Sequence, residues 1–261
     1  MTTSPTAEPV IPLVIAHRGN SSVAPQNTLA AFEAAWRSGA HSIELDVQLT
    51  ADGEVVIIHD DTADATTDGT GAISAQDLAA VRALDAGSWF SPAYAGQRIP
   101  TLAEVVDFLI RRPGIDLLLE IKGSWTVDQV RLVTGPLAAA GLFDRIIGQS
   151  FWPETVAALA EAAPSLRRGL LVFGVDSVDA LLTQCAELDV MTCNPAGPLL
   201  VEHPDLVERL HGAGLRTMVW TLDEPGHWAA AVSVGVDAII TDRPDRLAGY
   251  LAATARPLVD R

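Results

Sequence analysis

Eight short apolar runs alternate with Ala-rich segments of helical period along this chain, and that alternation restricts its fold more than any other feature. Such a pattern is typical of parallel βα units. The predicted strands are Leu13–His17, Ser42–Val47, Asp116–Lys122, Arg145–Ser150, Arg168–Val172, Asp189–Cys193, Arg216–Thr221 and Asp237–Thr241. The predicted helices are Thr28–Arg37, Thr101–Arg112, Val127–Ala140, Glu154–Glu161, Val178–Glu187, Pro204–Gly212, Gly226–Val234 and Pro244–Ala253.

This repeat predicts an α/β fold, a single (β/α)₈ TIM barrel over residues 13–255. The length of 261 residues is typical of one such barrel. Four glycines follow a predicted helix and precede a strand, where glycine suits a left-handed helix cap: Gly39, Gly141, Gly214 and Gly235. An open doubly wound sheet is the alternative, but no GxGxxG motif follows the first strand, which weakens that interpretation.

A further run, Val55–His59, also has strand character and would spoil the count of eight. It follows Asp52-Gly53, a strong hairpin signal, so we expect it to extend the second strand as an antiparallel partner outside the barrel. A two-residue turn would place Asp46 directly opposite His59. The turn geometry therefore predicts that His59 reaches the carboxyl ends of the strands.

Three segments lie outside the regular repeat. Residues 61–100 form a predicted small insertion after the hairpin, carrying the aromatic residues Trp89, Phe90 and Tyr94. We expect residues 1–12 to be a disordered N-terminal tail and residues 256–261 to be a C-terminal tail. The insertion predicts a lid or a small subdomain above the site.

Charge and composition exclude several classes of partner. The formal net charge of −16 disfavours binding to nucleic acid or anionic lipid, which both need clustered Lys and Arg. It leaves an anionic small substrate open, because a metal and a few cations can reverse the field in a pocket. Two cysteines favour a reducing compartment, and no basic, apolar leader or run of ~20 apolar residues predicts secretion or a membrane span. We therefore expect a cytoplasmic protein.

Charged residues stand at the ends of the first three predicted strands. The first ends in His17-Arg18, the second in Glu44-Leu45-Asp46 and the third in Glu120-Ile121-Lys122. The C-terminal ends of barrel strands carry the active sites of this fold. Because alternate residues of a strand share a face, each of the last two motifs should point two charged groups into the barrel mouth.

Glu44, Asp46 and Glu120 are hard oxygen ligands. Carboxylate oxygens favour Mg²⁺ or Ca²⁺, with Mn²⁺ as an alternative, over structural zinc. The sequence therefore predicts one divalent cation held by these three residues.

Two cations and two histidines complete the predicted site. Arg18 and Lys122 suit the oxygens of a phosphate group, Arg through its planar fork and Lys as a point charge. His17 and His59 suit general acid and base roles near neutral pH. Together with a metal, this set predicts hydrolysis of a small anionic phosphodiester.

The motifs that carry these residues are AHRGNSSVAPQNTLAAF, IELDVQLTADGEVVIIHDD, IPTLAEVVDFL, LLLEIKG, VWT and IITDRP. Together they resemble the glycerophosphodiester phosphodiesterase family over nearly the whole chain, from about Val14 to Asp245. The resemblance implies a barrel with a small insertion after the HD motif. It also implies cleavage of glycerophosphodiesters to glycerol 3-phosphate and an alcohol.

The resemblance assigns the same roles to the residues above. It adds Trp220, at a position that commonly lines the substrate pocket, and Asp60, which follows the motif histidine and is expected to support its neighbours. One departure is Gln26, where the family usually has Glu. If that Glu tunes the metal site, metal affinity or the pH optimum shifts; if it only orients the loop, nothing changes.

The residues leave several alternatives open. The attacking group is either water or the 2-hydroxyl of the substrate's own glycerol, and either histidine could be the acid. Related barrels also act on lysophospholipids or as cyclising phosphodiesterases. A non-catalytic phosphate-binding barrel would be expected to lack a motif residue, and this sequence lacks none.

Overall fold

The computed structural model describes residues 11–254, in which eight parallel strands close into a barrel. A ninth strand pairs antiparallel to the second. Strand β1 pairs with both β2 and β9, which closes the ring. The strands are β1 Leu13–His17, β2 Ser42–Leu49, β3 Val55–Ile57, β4 Asp116–Ile121, β5 Ile146–Ser150, β6 Arg167–Val172, β7 Thr192–Pro195, β8 Arg216–Val219 and β9 Ala238–Thr241. The predicted (β/α)₈ barrel is confirmed.

Helices cover the outside of the barrel. The helices are α1 Leu29–Arg37, α2 Leu78–Ala83, α3 Leu102–Arg111, α4 Val127–Ala139, α5 Pro153–Ala162, α6 Val178–Glu187, α7 Leu199–Glu202, α8 Leu206–Gly212, α9 Pro225–Val234 and α10 Pro244–Thr254; α2 lies between β3 and α3 and packs in that segment instead of on the barrel. The main apolar core lies between these helices and the outward faces of the strands, with residues such as Phe32, Leu45 and Ile121 almost completely buried. Burial of this surface is the main stabilising contribution to such a fold.

Local signals fix where several helices begin and end. Thr28 and Thr101 precede α1 and α3, and each accepts a hydrogen bond from a backbone N–H of the first turn. The four glycines predicted to end helices have φ between +68° and +80°. This left-handed conformation costs glycine little, so the predicted caps are confirmed.

Two predicted elements needed correction. The seventh barrel strand was predicted from Asp189 but begins at Thr192, because Asp189 adopts φ +48° and its main-chain oxygen accepts a hydrogen bond from Arg168 as the chain turns. The helix predicted from Pro204 begins at Leu206 instead and is preceded by the short α7.

The hairpin register also differs from the prediction. Strand β3 is antiparallel to β2 and lies outside the ring, as expected, but Val47 pairs with Ile57 and Leu49 with Val55. The predicted two-residue turn is wrong, because Thr50 closes the hairpin by exchanging hydrogen bonds with Glu54 across a three-residue loop. This shift places Ile58, not His59, beside Asp46.

Residues 61–100 lie between β3 and α3 and share a small apolar core with the second half of the hairpin. That core is formed by Val56, Ile58, Ala63, Ile73, Val81, Ala86 and Ile99. Tyr94 donates a hydrogen bond to the carbonyl of Val23, which ties the insertion to the β1–α1 loop. The division into domains stays a prediction, and residues 1–10 of the predicted N-terminal tail and the whole predicted C-terminal tail lie outside the described residues.

None of the helices found between residues 11 and 254 has the length and apolarity to cross a lipid bilayer. The cytoplasmic location stays a prediction.

Candidate active site

A pocket of about 450 Å³ opens at the C-terminal mouth of the barrel, where the predicted strand-end residues meet. It is lined by His17, Arg18, Glu44, His59, Glu120, Lys122, Gln149, Phe151, Leu171, Trp220 and Ile240. Seven of these were predicted as site residues. Asp46 and Asp60, also predicted, contact lining residues from behind.

The carboxylates Glu44, Asp46 and Glu120 form a tight cluster. One oxygen of each lies within 4.8 Å of an oxygen of the other two, and all three side chains are buried. Strands β2 and β4 are in register so that Asp46 lies beside Glu120, and alternation along β2 brings Glu44 to the same face. Strand geometry therefore gathers three carboxylates at the barrel mouth.

Two cations lie against this cluster. Lys122 Nζ is 2.6 Å from Glu120 Oε1 and 3.0 Å from Asp46 Oδ1. Arg18 Nε is 3.5 Å from Asp46 Oδ2, and Arg18 Nη1 donates to Gln26 Oε1 at 2.5 Å. Gln26, the departure from the family pattern, thus contacts the predicted phosphate-binding arginine and not the carboxylate cluster.

Burial and mutual repulsion shift the pKa values of the three carboxylates in different directions. Burial together with the negative charges of Asp46 and Glu120 raises the pKa of Glu44 well above its ordinary value. Burial and the charge of Asp46 likewise raise the pKa of Glu120 to about 7. Burial also opposes ionisation of Asp46, but Lys122 and Arg18 outweigh it and lower its pKa to about 2.

The β1–α1 loop is shaped to hold Arg18 in this position. Arg18 has φ +57°, and its backbone N–H donates to Glu44 Oε2 at 3.0 Å. Gly19 follows with φ +85°, where an added Cβ would lie 2.6 Å from the carbonyl carbon of Ala31. Only glycine combines this backbone conformation with so close an approach to α1. Asn27 in the same loop donates to Asp46 Oδ2 at 2.8 Å.

His59 reaches the pocket by a different route from the one predicted. The side-chain amide of Gln48 donates to the main-chain oxygens of Ile58, His59 and Asp60 at 2.7–3.3 Å. This buried amide holds the chain beyond the end of β3, so the turn alone does not position His59. The Nδ1 of His59 is 2.7 Å from Asp60 Oδ1. Burial lowers the pKa of His59, with Asp46 opposing the shift.

Residues 17–246 match the model of the glycerophosphoryl diester phosphodiesterase family. The chain belongs to this family. It is 37% identical over 238 residues to a glycerophosphodiester phosphodiesterase of Caldanaerobacter subterraneus, covering 90% of this chain and 96% of the relative. The prediction of an enzyme of the glycerophosphodiester phosphodiesterase class is confirmed.

Solved structures of family members superpose closely on this chain. A phosphodiesterase of Oleispira antarctica, solved with its product sn-glycerol 3-phosphate, matches with a TM-score of 0.86 and 30% identity, covering 93% of this chain and 97% of that one. A glycerophosphodiester phosphodiesterase of Agrobacterium tumefaciens matches with a TM-score of 0.79 and 30% identity, covering 91% and 99%.

Asp242 was not predicted from the sequence as a site residue of this glycerophosphodiester phosphodiesterase, although it contacts His17. It directly follows β9, and its Oδ1 lies 2.6 Å from His17 Nδ1 and accepts a hydrogen bond from Ser21 at 2.9 Å. Burial disfavours its charge, but the hydrogen bonds from His17 and Ser21 and the charges of His17 and Arg18 together outweigh burial and lower the pKa of Asp242. The strand-end rule, applied to the motif IITDRP, could have found it.

Members of this family generally depend on a divalent metal, and the buried carboxylate cluster fits one. Apart from the nearby ammonium of Lys122, Asp46 Oδ1 and Glu120 Oε1 accept no hydrogen bond within residues 11–254. Burial and the repulsion of neighbouring carboxylates raise the pKa values of Glu44 and Glu120, and a bound cation would oppose both effects. An all-oxygen cluster of this kind suits a hard cation.

Proposed function

We propose that this protein hydrolyses glycerophosphodiesters to glycerol 3-phosphate and an alcohol, with His17 and His59 as general acid and base. The observation that carries the proposal is that both histidines, Arg18, Lys122 and two of the three clustered carboxylates line one pocket, with the third, Asp46, against Lys122. Two histidines beside a phosphate-binding and metal-binding cluster are the groups that diester hydrolysis requires. The product complex of the Oleispira antarctica relative supports glycerol 3-phosphate as the product.

The charge of each pocket residue determines its proposed role. Arg18 and Lys122 would contact the non-bridging phosphate oxygens, since both reach the pocket and both carry fixed positive charge. Trp220 would pack against the organic part of the substrate. Glu44, Asp46 and Glu120 would hold Mg²⁺ or Ca²⁺, and the bound cation supplies positive charge that stabilises the transition state.

Each histidine has a carboxylate behind its Nδ1 nitrogen. Asp242 accepts from His17 and Asp60 from His59, so both rings donate from Nδ1 and keep Nε2 for the reaction. One Nε2 would remove a proton from the attacking oxygen while the other, protonated, donates to the leaving alcohol. Asp60 and Asp242 are thus proposed as positioning residues that fix the tautomer of each ring.

The test is hydrolysis of glycerophosphocholine by protein stripped of metal with EDTA and then reloaded with Mg²⁺, Ca²⁺ or Mn²⁺. We expect no turnover without metal, recovery on reloading, and glycerol 3-phosphate and choline as products. Activity that persists in EDTA would reject the metal role. Absence of turnover on any glycerophosphodiester with every metal would reject the proposed function.

A further inference from the structure

The pocket has two chemically different halves. Strands β1, β2 and β4 and the hairpin supply the charged half, whereas Phe151, Leu171, Trp220 and Ile240 form an apolar half. Phe151 and Phe173 lie 5.4 and 6.2 Å from the ring of Trp220, which extends this apolar wall to the rim. A phosphodiester has matching parts, a charged phosphate and an organic substituent.

Gln149 lies between the two halves. It is on β5, in register with Glu120 of the charged half, and it lines the pocket although only 1% of it is exposed. The side-chain amide of Gln149 is uncharged. It therefore does not compete with Arg18 and Lys122 for the phosphate, or with the carboxylates for the metal.

A second buried amide fixes the orientation of Gln149. Asn194 Nδ2 on β7 donates to Gln149 Oε1 at 2.7 Å, and Asn194 is fully buried. The main-chain oxygen of Asn194 accepts a hydrogen bond from Trp220 Nε1 at 2.7 Å. The amide of Gln149 is therefore coupled to the aromatic wall of the pocket.

This bridge spans strand β6, which lies between β5 and β7, and it requires a glycine there. Gly169 is in register with Gln149, and a Cβ added to it would lie 2.4 Å from Thr192 Oγ1 and 3.0 Å from Asn194 Nδ2. Any side chain at this position would push into the space that the bridge occupies. The interior of the barrel is thus shaped around this pair of amides.

The hydrogen bond from Asn194 occupies the side-chain oxygen Oε1 of Gln149 and does not involve its side-chain nitrogen Nε2. No residue between 11 and 254 accepts a hydrogen bond from Gln149 Nε2, although this side chain is almost fully buried. A pocket donor that no protein group satisfies favours ligands that supply an acceptor over ligands that lack one. Gln149 lines the active-site pocket, so a ligand bound there can supply that acceptor.

We propose that Gln149 is a specificity-determining residue that donates a hydrogen bond from Nε2 to a hydroxyl oxygen of the glycerol substituent. The inference rests on the proposed function and names how that site recognises its substrate class. The carbon chain of glycerol packs against the apolar half, while its hydroxyl meets the neutral donor of Gln149 on the boundary. Asn194 acts as a positioning residue through its bridge to Gln149.

The test is direct binding to the metal-loaded protein by titration calorimetry of sn-glycerol 3-phosphate and n-propyl phosphate, which lacks both hydroxyls. Binding avoids any dependence on which oxygen attacks phosphorus. In the wild type we expect tighter binding of glycerol 3-phosphate. Gln149→Met, which keeps the length and removes the donor, should reduce the ratio of the two Kd values by about 3- to 10-fold. Binding of n-propyl phosphate should change much less.

Asn194→Ala removes the bridge and leaves Gln149 in place, so it should reduce the same ratio by a smaller factor. Thr134→Val is the matched control, because Thr134 is buried and hydrogen-bonded on α4, remote from the pocket. An unchanged ratio in Gln149→Met, or in Asn194→Ala should the first variant not fold, overturns the inference. If that happens while glycerophosphocholine is still hydrolysed, the proposed function stands. A wild type that neither binds glycerol 3-phosphate nor hydrolyses the diester overturns both.

Discussion

His17 Nδ1 lies 2.6 Å from Oδ1 of Asp242, a residue 225 positions further along the chain. Closure of the barrel creates this contact, because β9, which ends at Thr241, pairs with β1, which ends at His17. The contact gives His17 the same carboxylate support that Asp60 gives to His59 from the adjacent position.

Asp242→Asn is expected to lower kcat by about 10- to 100-fold with a small change in KM, because an amide no longer fixes the tautomer of His17. Steady-state kinetics on glycerophosphocholine measure both constants. Asp237→Asn is the control, since Asp237 lies at the opposite end of β9 and pairs with His211 and Arg216. An equal loss of kcat in both variants would show a general structural effect rather than positioning of His17.

His17→Ala and His59→Ala are each expected to lower kcat by roughly 10²–10⁴-fold while the fold is retained, because each removes one proton-transfer group. Circular dichroism should show unchanged secondary structure. The exposed His227→Ala serves as the control. Near-normal turnover of either site variant would reject its catalytic assignment.

Glu120→Gln is expected to stabilise the metal-free protein at pH 8. The pKa of Glu120 is about 7 in the folded protein against an ordinary value of 4.5, so the folded state binds more protons between these pH values. The stability that protonated Glu120 contributes is therefore fully present below about pH 4.5 and is lost as pH rises through about 7. Thermal unfolding in the presence of EDTA should show a smaller fall in Tm from pH 5 to pH 8 for Glu120→Gln than for the wild type.

For a protein of this size, each kcal/mol corresponds to about 2–4 °C in Tm. The exposed Glu161→Gln is the control and should leave the pH dependence of Tm unchanged. A wild-type Tm that falls no more between pH 5 and pH 8 than that of Glu120→Gln would contradict the prediction. The same variant should lose metal affinity, since it removes a predicted ligand.

Gln26→Glu restores the residue usual in the family and is expected to move to higher pH the limb of the kcat/KM profile that His59 controls, the acidic limb if His59 is the base and the alkaline limb if it is the acid. Gln26 lines a small cleft with His59, so an added negative charge favours the protonated imidazole and raises its pKa. The pH profile of kcat/KM measures the shift. Gln184→Glu adds the same charge on α6, away from the pocket, and should leave the profile unchanged. A profile identical to the wild type would mean that position 26 only orients Arg18.

The sequence alone was sufficient for the barrel and for most of the candidate site. Parallel strands place their C-terminal ends at one mouth, and alternation along a strand puts Glu44 with Asp46 and Glu120 with Lys122. These are local rules, since they need only the period of each segment and the direction of the strands. The glycine caps followed from local backbone sterics in the same way.

Tertiary structure decided the contacts between distant segments. Sequence period gives the face of a residue but not the register between strands, so the predicted hairpin register was off by one residue. For the same reason the hydrogen bond from Gln48 to the main-chain oxygen of His59 was not predicted. Register and ring closure likewise bring Asp242 to His17, and Gly169 leaves the space through which Asn194 reaches Gln149. The sequence by itself determined which chemical groups gather at the barrel mouth. Only the closed barrel determined that Asp242 lies beside His17 and that Asn194 contacts Gln149.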